Sequence, residues 1–199
     1  MTSPVIYYVR HGLTDWNAQH RLQGRHDVPL NVQGRAQAVA CGEILRGLFE
    51  RDGRSASELG YVSSPLSRAR ETMDLMRATL GLPSDGYAID ERLVEIAFGE
   101  WEGLTYEDVL ARDKDVVAKR EGDKWGFRPP GGETYAEVTA RVGAWCRTLD
   151  KDTVVAAHGG TARALVAYLN VKRPADATHV PIDHGVVYVF RDGTLARYG

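Results

Sequence analysis

Val5 to Val9 reads Val-Ile-Tyr-Tyr-Val, an unbroken apolar run of β-branched and aromatic residues. A strand with one wet face would alternate, so this run predicts a strand covered on both sides. Thr153 to Ala157 repeats the signal. Between the two, apolar positions fall at helical spacing. Asn31 stands where it can cap a helix in which Ala36, Val39, Ala40, Ile44, Leu45 and Leu48 recur. A short strand is expected around Tyr61 and Val62. Ser64-Pro65 then opens a second helix, the serine as its cap and the proline in its first turn. Residues 87–93 look extended and 94–104 look like an ordered loop. Thr105 to about Glu121 is polar and helical, with Asp108 three residues after a Thr105 cap. Gly122, Gly126, Pro129, Pro130, Gly131 and Gly132 make 122–133 a loop. Thr134 and Glu137 form a capping box for a helix to about Leu149, and Gly159-Gly160 are followed by another to about Asn170. Val186 to Phe190, Asp192-Gly193 and Thr194 to Tyr198 have the pattern of a β-hairpin.

Strand and helix alternate along the chain, which predicts an α/β fold: a three-layer α/β/α sandwich with a mostly parallel sheet, the hairpin supplying an antiparallel edge strand. A chain of 199 residues suits a single domain over 1–199, with a small cap inserted at about 97–132. Its 25 basic and 27 acidic residues give a net charge of −2, so no global basic field points to nucleic acid or to an anionic membrane. An anion would have to be held by a local cluster of arginines. Cys41 and Cys146 are too few and too far apart for a disulfide framework or a zinc site, and buried structural roles in a reducing cytoplasm fit both. His20, His26 and His179 lack metal-ligand spacing. With no leader-like N-terminus and no stretch of ~18 apolar residues, a soluble cytoplasmic protein is expected, as monomer or homodimer. There is no P-loop and no dinucleotide fingerprint.

In open α/β sheets, ligands bind beyond the carboxyl ends of the strands. Arg10-His11-Gly12 follows the first strand, Ser63-Ser64-Pro65-Leu66-Ser67-Arg68 the short middle one, and His158-Gly159-Gly160 the later buried one; a nearby loop carries Glu95. Two histidines, two arginines and a glutamate on one rim suit phosphoryl transfer. Arg10 and Arg68 can grip a phosphate with charge-assisted hydrogen bonds. A neutral His11 imidazole can attack phosphorus, its imidazolium form disfavoured by the guanidinium charges. His158 can donate to the phosphoryl oxygens, and Glu95 can pass a proton to the leaving alkoxide and take one from water. Gly12 and Gly159 leave room for an anion to approach backbone N–H groups. No metal or other cofactor is expected. Taken singly, each residue has a plainer reading, a structural histidine or a solvated arginine; their convergence at equivalent strand ends is what favours a site.

Arg10-His11-Gly12 with Thr14 and Trp16-Asn17, then Ser64-Pro65-Leu66-Ser67-Arg68-Ala69, then Ala157-His158-Gly159-Gly160 resembles the histidine phosphatase superfamily, which holds phosphoglycerate mutases and many monoester phosphatases. The resemblance implies a phosphoglycerate mutase-like fold with His11 as the phosphorylated nucleophile and Arg10, Arg68 and His158 completing the phosphate pocket. It further implies that Asn17 contacts phosphate, that Gln23, in Arg21-Leu22-Gln23-Gly24, contacts substrate, and that Glu95 is the acid/base. Glu133 matches a recurring motif or steadies a helix N-terminus. Two positions depart from the pattern: Leu13 replaces the usual Glu or Gln, and His184 stands where an asparagine-like residue is common. His184 either touches the phosphate or anchors the hairpin.

Against the family, the chain reads as a phosphomonoesterase acting on a small-molecule phosphate ester through a phosphohistidine. Mutase-type transfer, or a phospho-ligand-binding module without chemistry, is the alternative. Mutases are expected to be longer, with segments that close over the site, and to carry an arginine where Ile96 follows Glu95. Specificity is expected between Ala97 and Gly132. There Phe98, Trp101, Tyr106, Trp125, Phe127 and Arg128 either line a cap over the leaving group or pack the cap's own small core.

Overall fold

In the computed structural model, which describes residues 3–199, the first strand β1 (Ile6–Arg10) is buried along its apolar length. After it come α1 (Asp15–Ala18), α2 (Val32–Arg51), β2 (Gly60–Ser63), α3 (Ser67–Thr79) and β3 (Ala88–Ile89). The stretch 97–132, referred to below as the cap, carries α4 (Tyr106–Arg112) and α5 (Lys114–Gly122). Then follow α6 (Tyr135–Cys146), β4 (Thr153–Ala157), α7 (Gly159–Tyr168), α8 (Pro174–Ala177), β5 (Val187–Arg191) and β6 (Thr194–Tyr198). The strands lie in the order β3-β2-β4-β1-β5-β6. The first four run parallel, whereas β5 and β6 are antiparallel, so the hairpin contributes two strands at that edge. Asp192 and Gly193 both take positive φ, 48° and 72°, the conformation that a two-residue hairpin turn demands.

Alternate residues of β1 feed two cores. Ile6 and Tyr8 pack with Val138, Val142 and Trp145 of α6 and Leu165 and Val166 of α7. Tyr7 and Val9 pack with Leu45 and Leu48 of α2 and Met73 and Met76 of α3. Helices therefore cover both faces of the sheet, which is why its central strands have no polar alternation. Fully burying each such side chain contributes about 1.5–3 kcal/mol.

The register of the central strands lines up their carboxyl ends. Arg10 sits opposite Ala157, and Ser63 opposite Ala156. His11 N–H then donates to Ala157 O at 2.8 Å, and Ser64 N–H to Ala156 O at 3.0 Å. The peptides that carry His11, Ser64 and His158 are thus fixed side by side.

Several local expectations change. The buried stripe of α2 is Gly34, Ala38, Cys41, Leu45 and Leu48; Ala36, Val39 and Ala40 face solvent, because alanines and a valine on both flanks blur the period. Ser64 does not cap α3, whose cap position is Leu66; its hydroxyl is held by a histidine instead. The helix expected over 105–121 breaks at Asp113, whose side chain caps α5 by accepting from Val116 N–H at 3.0 Å. Gly159 and Gly160 form the first turn of α7 rather than preceding it. The Thr105 and Thr134 capping boxes form as their spacing predicts. Among the described residues, no helix is long and apolar enough to cross a membrane.

Candidate active site

His11 and His158 close the two central strands, and their rings lie 5.2 Å apart, centroid to centroid. Both are almost fully buried. His11 Nδ1 donates to Gly12 O at 2.7 Å; a carbonyl only accepts, so the ring carries its proton on Nδ1 and leaves the Nε2 lone pair free. Burial lowers the His11 pKa well below its ordinary value, and His158, Arg68, Arg10 and His184 push it further. His158 is lowered by burial first and by Arg68 and Arg10 next. Ser64 Oγ lies 2.7 Å from His158 Nε2, and with its hydroxyl donating there the His158 proton sits on Nδ1. The main chain of His158 is clamped by Tyr8: the phenol oxygen lies 2.9 Å from His158 N and 2.7 Å from His158 O.

Around these rings the arginines are pinned by backbone. Arg68, fully buried, donates from Nη1 to His26 O at 2.6 Å and from Nη2 to Gly24 O at 2.8 Å. Arg10 Nη1 donates to Ile182 O at 2.7 Å. Arg10 Nε, Arg68 Nε and His158 Nδ1 are buried donors with no partner among the described residues. Buried N–H groups are almost always paired, so three orphans in one cluster mark a place for an anion.

Arg10, His11 and Arg68 line a cavity of about 170 Å³ together with Asn17, Gln23, Glu95 and Gly159. Asn17 Oδ1 and Gln23 Oε1 each lie 3.0 Å from Thr14 Oγ1, which leaves both amide NH2 ends unengaged. Glu95 accepts from Ile96 N–H at 2.9 Å and from Gly160 N–H at 3.0 Å, which places its carboxylate at the start of α7. A side chain on Gly160 would begin 2.4 Å from Glu95 Oε1, so glycine is needed there for close approach. Gly12 serves a different purpose from the one expected. Its N–H donates to Thr72 Oγ1 at 3.1 Å and its Cα packs against the Gly34 carbonyl, so it seats α2 rather than admitting an anion. A larger hollow of about 510 Å³ opens at the other end of the sheet, by Ile6 and Asp192, but gathers no histidine or glutamate.

His184 Nδ1 donates to His11 O at 2.7 Å, with its ring 5.5 Å from that of His11. It anchors the nucleophile's peptide to the start of the hairpin and faces an adjoining hollow beside Leu13 and His20 that shares Arg10, Asn17 and Arg21 with the cavity. Glu133 accepts from Ala97 N–H at 3.0 Å and pairs with Arg25 and Arg141, while Arg141 also donates to Glu95 O. It is a strut under the Glu95 loop. Glu102, which the sequence did not single out, binds Phe98 N–H, Arg25 N–H and His26 Nδ1 and so holds the loop whose carbonyls grip Arg68.

Most of the cap aromatics pack on one another. Trp101 and Phe127 stack at 5.5 Å, and Phe98, Tyr106, Val109 and Val117 join their cluster. Trp125 stacks on Tyr135 at 6.4 Å, and Arg128 pairs with Glu137. Of the expected lining residues, only Phe98 reaches the cavity. Arg21, Leu22, Tyr135 and Arg163 line it as well. The signal for Arg163 was present: it lies four residues after Gly159, hence on the same face of α7.

The sequence model of the histidine phosphatase superfamily (branch 1) matches residues 6–193. The chain belongs to that superfamily. A 2,3-bisphosphoglycerate-dependent phosphoglycerate mutase of Methylobacterium radiotolerans is 34% identical, covering 96% of this chain and 92% of its own. One from Gloeobacter violaceus is 29% identical, over 97% and 89%. A mycobacterial glucosyl-3-phosphoglycerate phosphatase solved with VO3 is 31% identical, over 95% and 92%, with a TM-score of 0.78. Relatives named as mutases are therefore hardly longer than this chain, and the expectation that length separates mutase from phosphatase is overturned.

Proposed function

We propose that the chain is a phosphomonoesterase that hydrolyses a small-molecule phosphate ester through a phosphohistidine at His11. The three unpartnered donors, Arg10 Nε, Arg68 Nε and His158 Nδ1, grouped around His11 carry this reading. In the first step, His11 Nε2 attacks phosphorus, the P–O bond to the alcohol breaks, and Glu95 gives its proton to the leaving oxygen. Arg10, Arg68 and the His158 N–H stabilise the charge on the phosphoryl oxygens as it passes. In the second step, water attacks the phosphohistidine, Glu95 takes the water proton, and the N–P bond breaks to return neutral His11 and inorganic phosphate. Asn17 and Gln23 offer amide N–H groups to the bound ester, and Gly159 leaves the wall beside Arg10 open. Every charge and proton has a side chain assigned to it.

Hydrolysis is favoured over mutase transfer by the whole-chain likeness to a solved relative named as a phosphatase and by Ile96, buried in the core where the mutase pattern has an arginine. The mutase reading is favoured by the names of the curated relatives. One assay separates them. With p-nitrophenyl phosphate in the presence of chelator, the wild type releases phosphate and His11→Ala does not; turnover by His11→Ala at the wild-type rate sinks the phosphohistidine mechanism. With 3-phosphoglycerate, 2-phosphoglycerate formed faster than free phosphate establishes the mutase.

A further inference from the structure

Arg10 and Arg163 are held by one short segment. Arg163 Nε donates to Val180 O at 3.0 Å, and Arg10 Nη1 donates to Ile182 O, two residues on. A side chain on Gly159 would begin 3.4 Å from Arg163 Nη1 and 3.6 Å from the Arg10 guanidinium, so the two groups flank the same glycine in the cavity wall. Among the described residues neither has a carboxylate within ion-pair distance. Arg163 is thus anchored through Nε, and beside it in the cavity wall stands Tyr135, whose hydroxyl it also engages.

The charge in the cavity is out of balance. Arg10, Arg21, Arg68 and Arg163 line it against one carboxylate, Glu95. A phosphate monoester brings about two negative charges near neutral pH. One positive charge is then left over, and two while Glu95 holds the proton it donates. The excess continues toward the cap. Half-buried Lys124 is pushed down to about 8, by burial first and then by its neighbours Arg120 and Arg163. Like charges gathered away from water are unfavourable unless an anion joins them. The phosphoryl group already has Arg10, Arg68 and His158.

Resting on the phosphomonoesterase reading above, we infer that Arg163 is the receptor for a second acidic group, a carboxylate or a phosphate, on the alcohol part of the substrate. The leaving group is an acid as well as an alcohol. Its charge fills the surplus that the transferred phosphate leaves, and the guanidinium of Arg163, paired with no carboxylate, suits a planar carboxylate or a phosphate face.

Two substrate pairs test this, each differing by one acidic group: glycerol 3-phosphate against 3-phosphoglycerate, and fructose 6-phosphate against fructose 1,6-bisphosphate. Phosphate release should give kcat/KM about tenfold or more higher for the acidic member of at least one pair, as expected for one charge-assisted contact. The pair that responds identifies carboxylate or phosphate. Arg163→Met should bring that ratio close to one, and Arg163→Lys should keep part of it. Wild-type ratios near one in both pairs overturn the inference. So does an equal loss for both members in Arg163→Met, which would mean that Arg163 grips the transferred phosphoryl group. If 3-phosphoglycerate is isomerised and no phosphate appears, the hydrolase reading fails by itself. Arg163→Met must then raise KM for 3-phosphoglycerate in isomerisation by about tenfold, and an unchanged KM overturns the receptor too.

Discussion

The rim of strand ends and the cap beside it are both rich in arginine, and they treat it in opposite ways. In the cap the protein neutralises its own charge. Arg128 pairs with Glu137 at 2.6 Å, and Arg120 pairs with Glu121 at 2.7 Å while lying over the Tyr106 ring. On the rim, Arg10, Arg68 and Arg163 donate to main-chain carbonyls and line, among the described residues, a cavity with one carboxylate, Glu95. A carbonyl satisfies an N–H without cancelling the cation. A guanidinium bonded to backbone is therefore fixed in place yet still charged, which is the state an anion receptor needs before its ligand arrives. The aromatics link the two regions: Trp101, Tyr106 and Phe127 cluster within the cap, while Phe98 belongs to that cluster and also lines the cavity beside Tyr135.

The contrast breaks first at Arg68. If its charge acts on the ligand, Arg68→Ala lowers kcat/KM by about 10³-fold, the scale of losing a preorganised transition-state donor. Arg68→Lys, which keeps the charge but not the fork, recovers only part. A loss under tenfold would mean that the carbonyl contacts are all Arg68 is for.

The rim's histidines sharpen the comparison through pH. His11 and His158 are lowered well below their ordinary values and His184 to about 4, in each case by burial first. Below about pH 6.5 the unfolded chain protonates these imidazoles and the folded chain does not, so stability falls as pH falls, by about 1.4 kcal/mol per pH unit for each. His184 ceases to contribute below about pH 4. Melting temperatures taken from pH 7 down to pH 4.5 should drop with increasing slope, and His184→Asn should flatten it. The same shifts keep Nε2 of His11 unprotonated at pH 6, so kcat/KM should show no acid limb near 6.5. A level melting profile would remove the claim that these rings are neutral in the fold.

The smallest effect belongs to the cap. Arg128→Ala removes an exposed, already neutralised pair and should change stability by under about 0.5 kcal/mol and leave hydrolysis of p-nitrophenyl phosphate untouched. A tenfold loss there would erase the distinction between the two regions.

The residues that converge on His11 were legible because each closes or follows a buried strand, and strand ends have one place to go. Val5 to Val9 and Thr153 to Ala157 could only be central, and parallel pairing then brings Arg10 level with Ala157. What stayed hidden depends on contacts that spacing does not encode. Ser64 looked like a cap because serine before a helix usually is one; the neighbouring strand's histidine takes it instead. Glu102 carries no motif of its own, and its role shows only in the N–H groups of Phe98 and Arg25 and the His26 ring that it holds. The cap broke into two helices at Asp113 because a local carboxylate offered Val116 N–H a partner that the periodicity of 105–121 could not show.

Two carbonyls separated by a single proline seat both guanidiniums, and the residue before a proline is confined to extended backbone. At about 3.1–3.3 Å of rise per residue, the seats stand on the order of 6–7 Å apart. For the receptor inferred at Arg163, that stretch would act as a fixed gauge of reach as well as of sign, and regioisomers of equal charge but different span should then be sorted by the distance between their acidic ends.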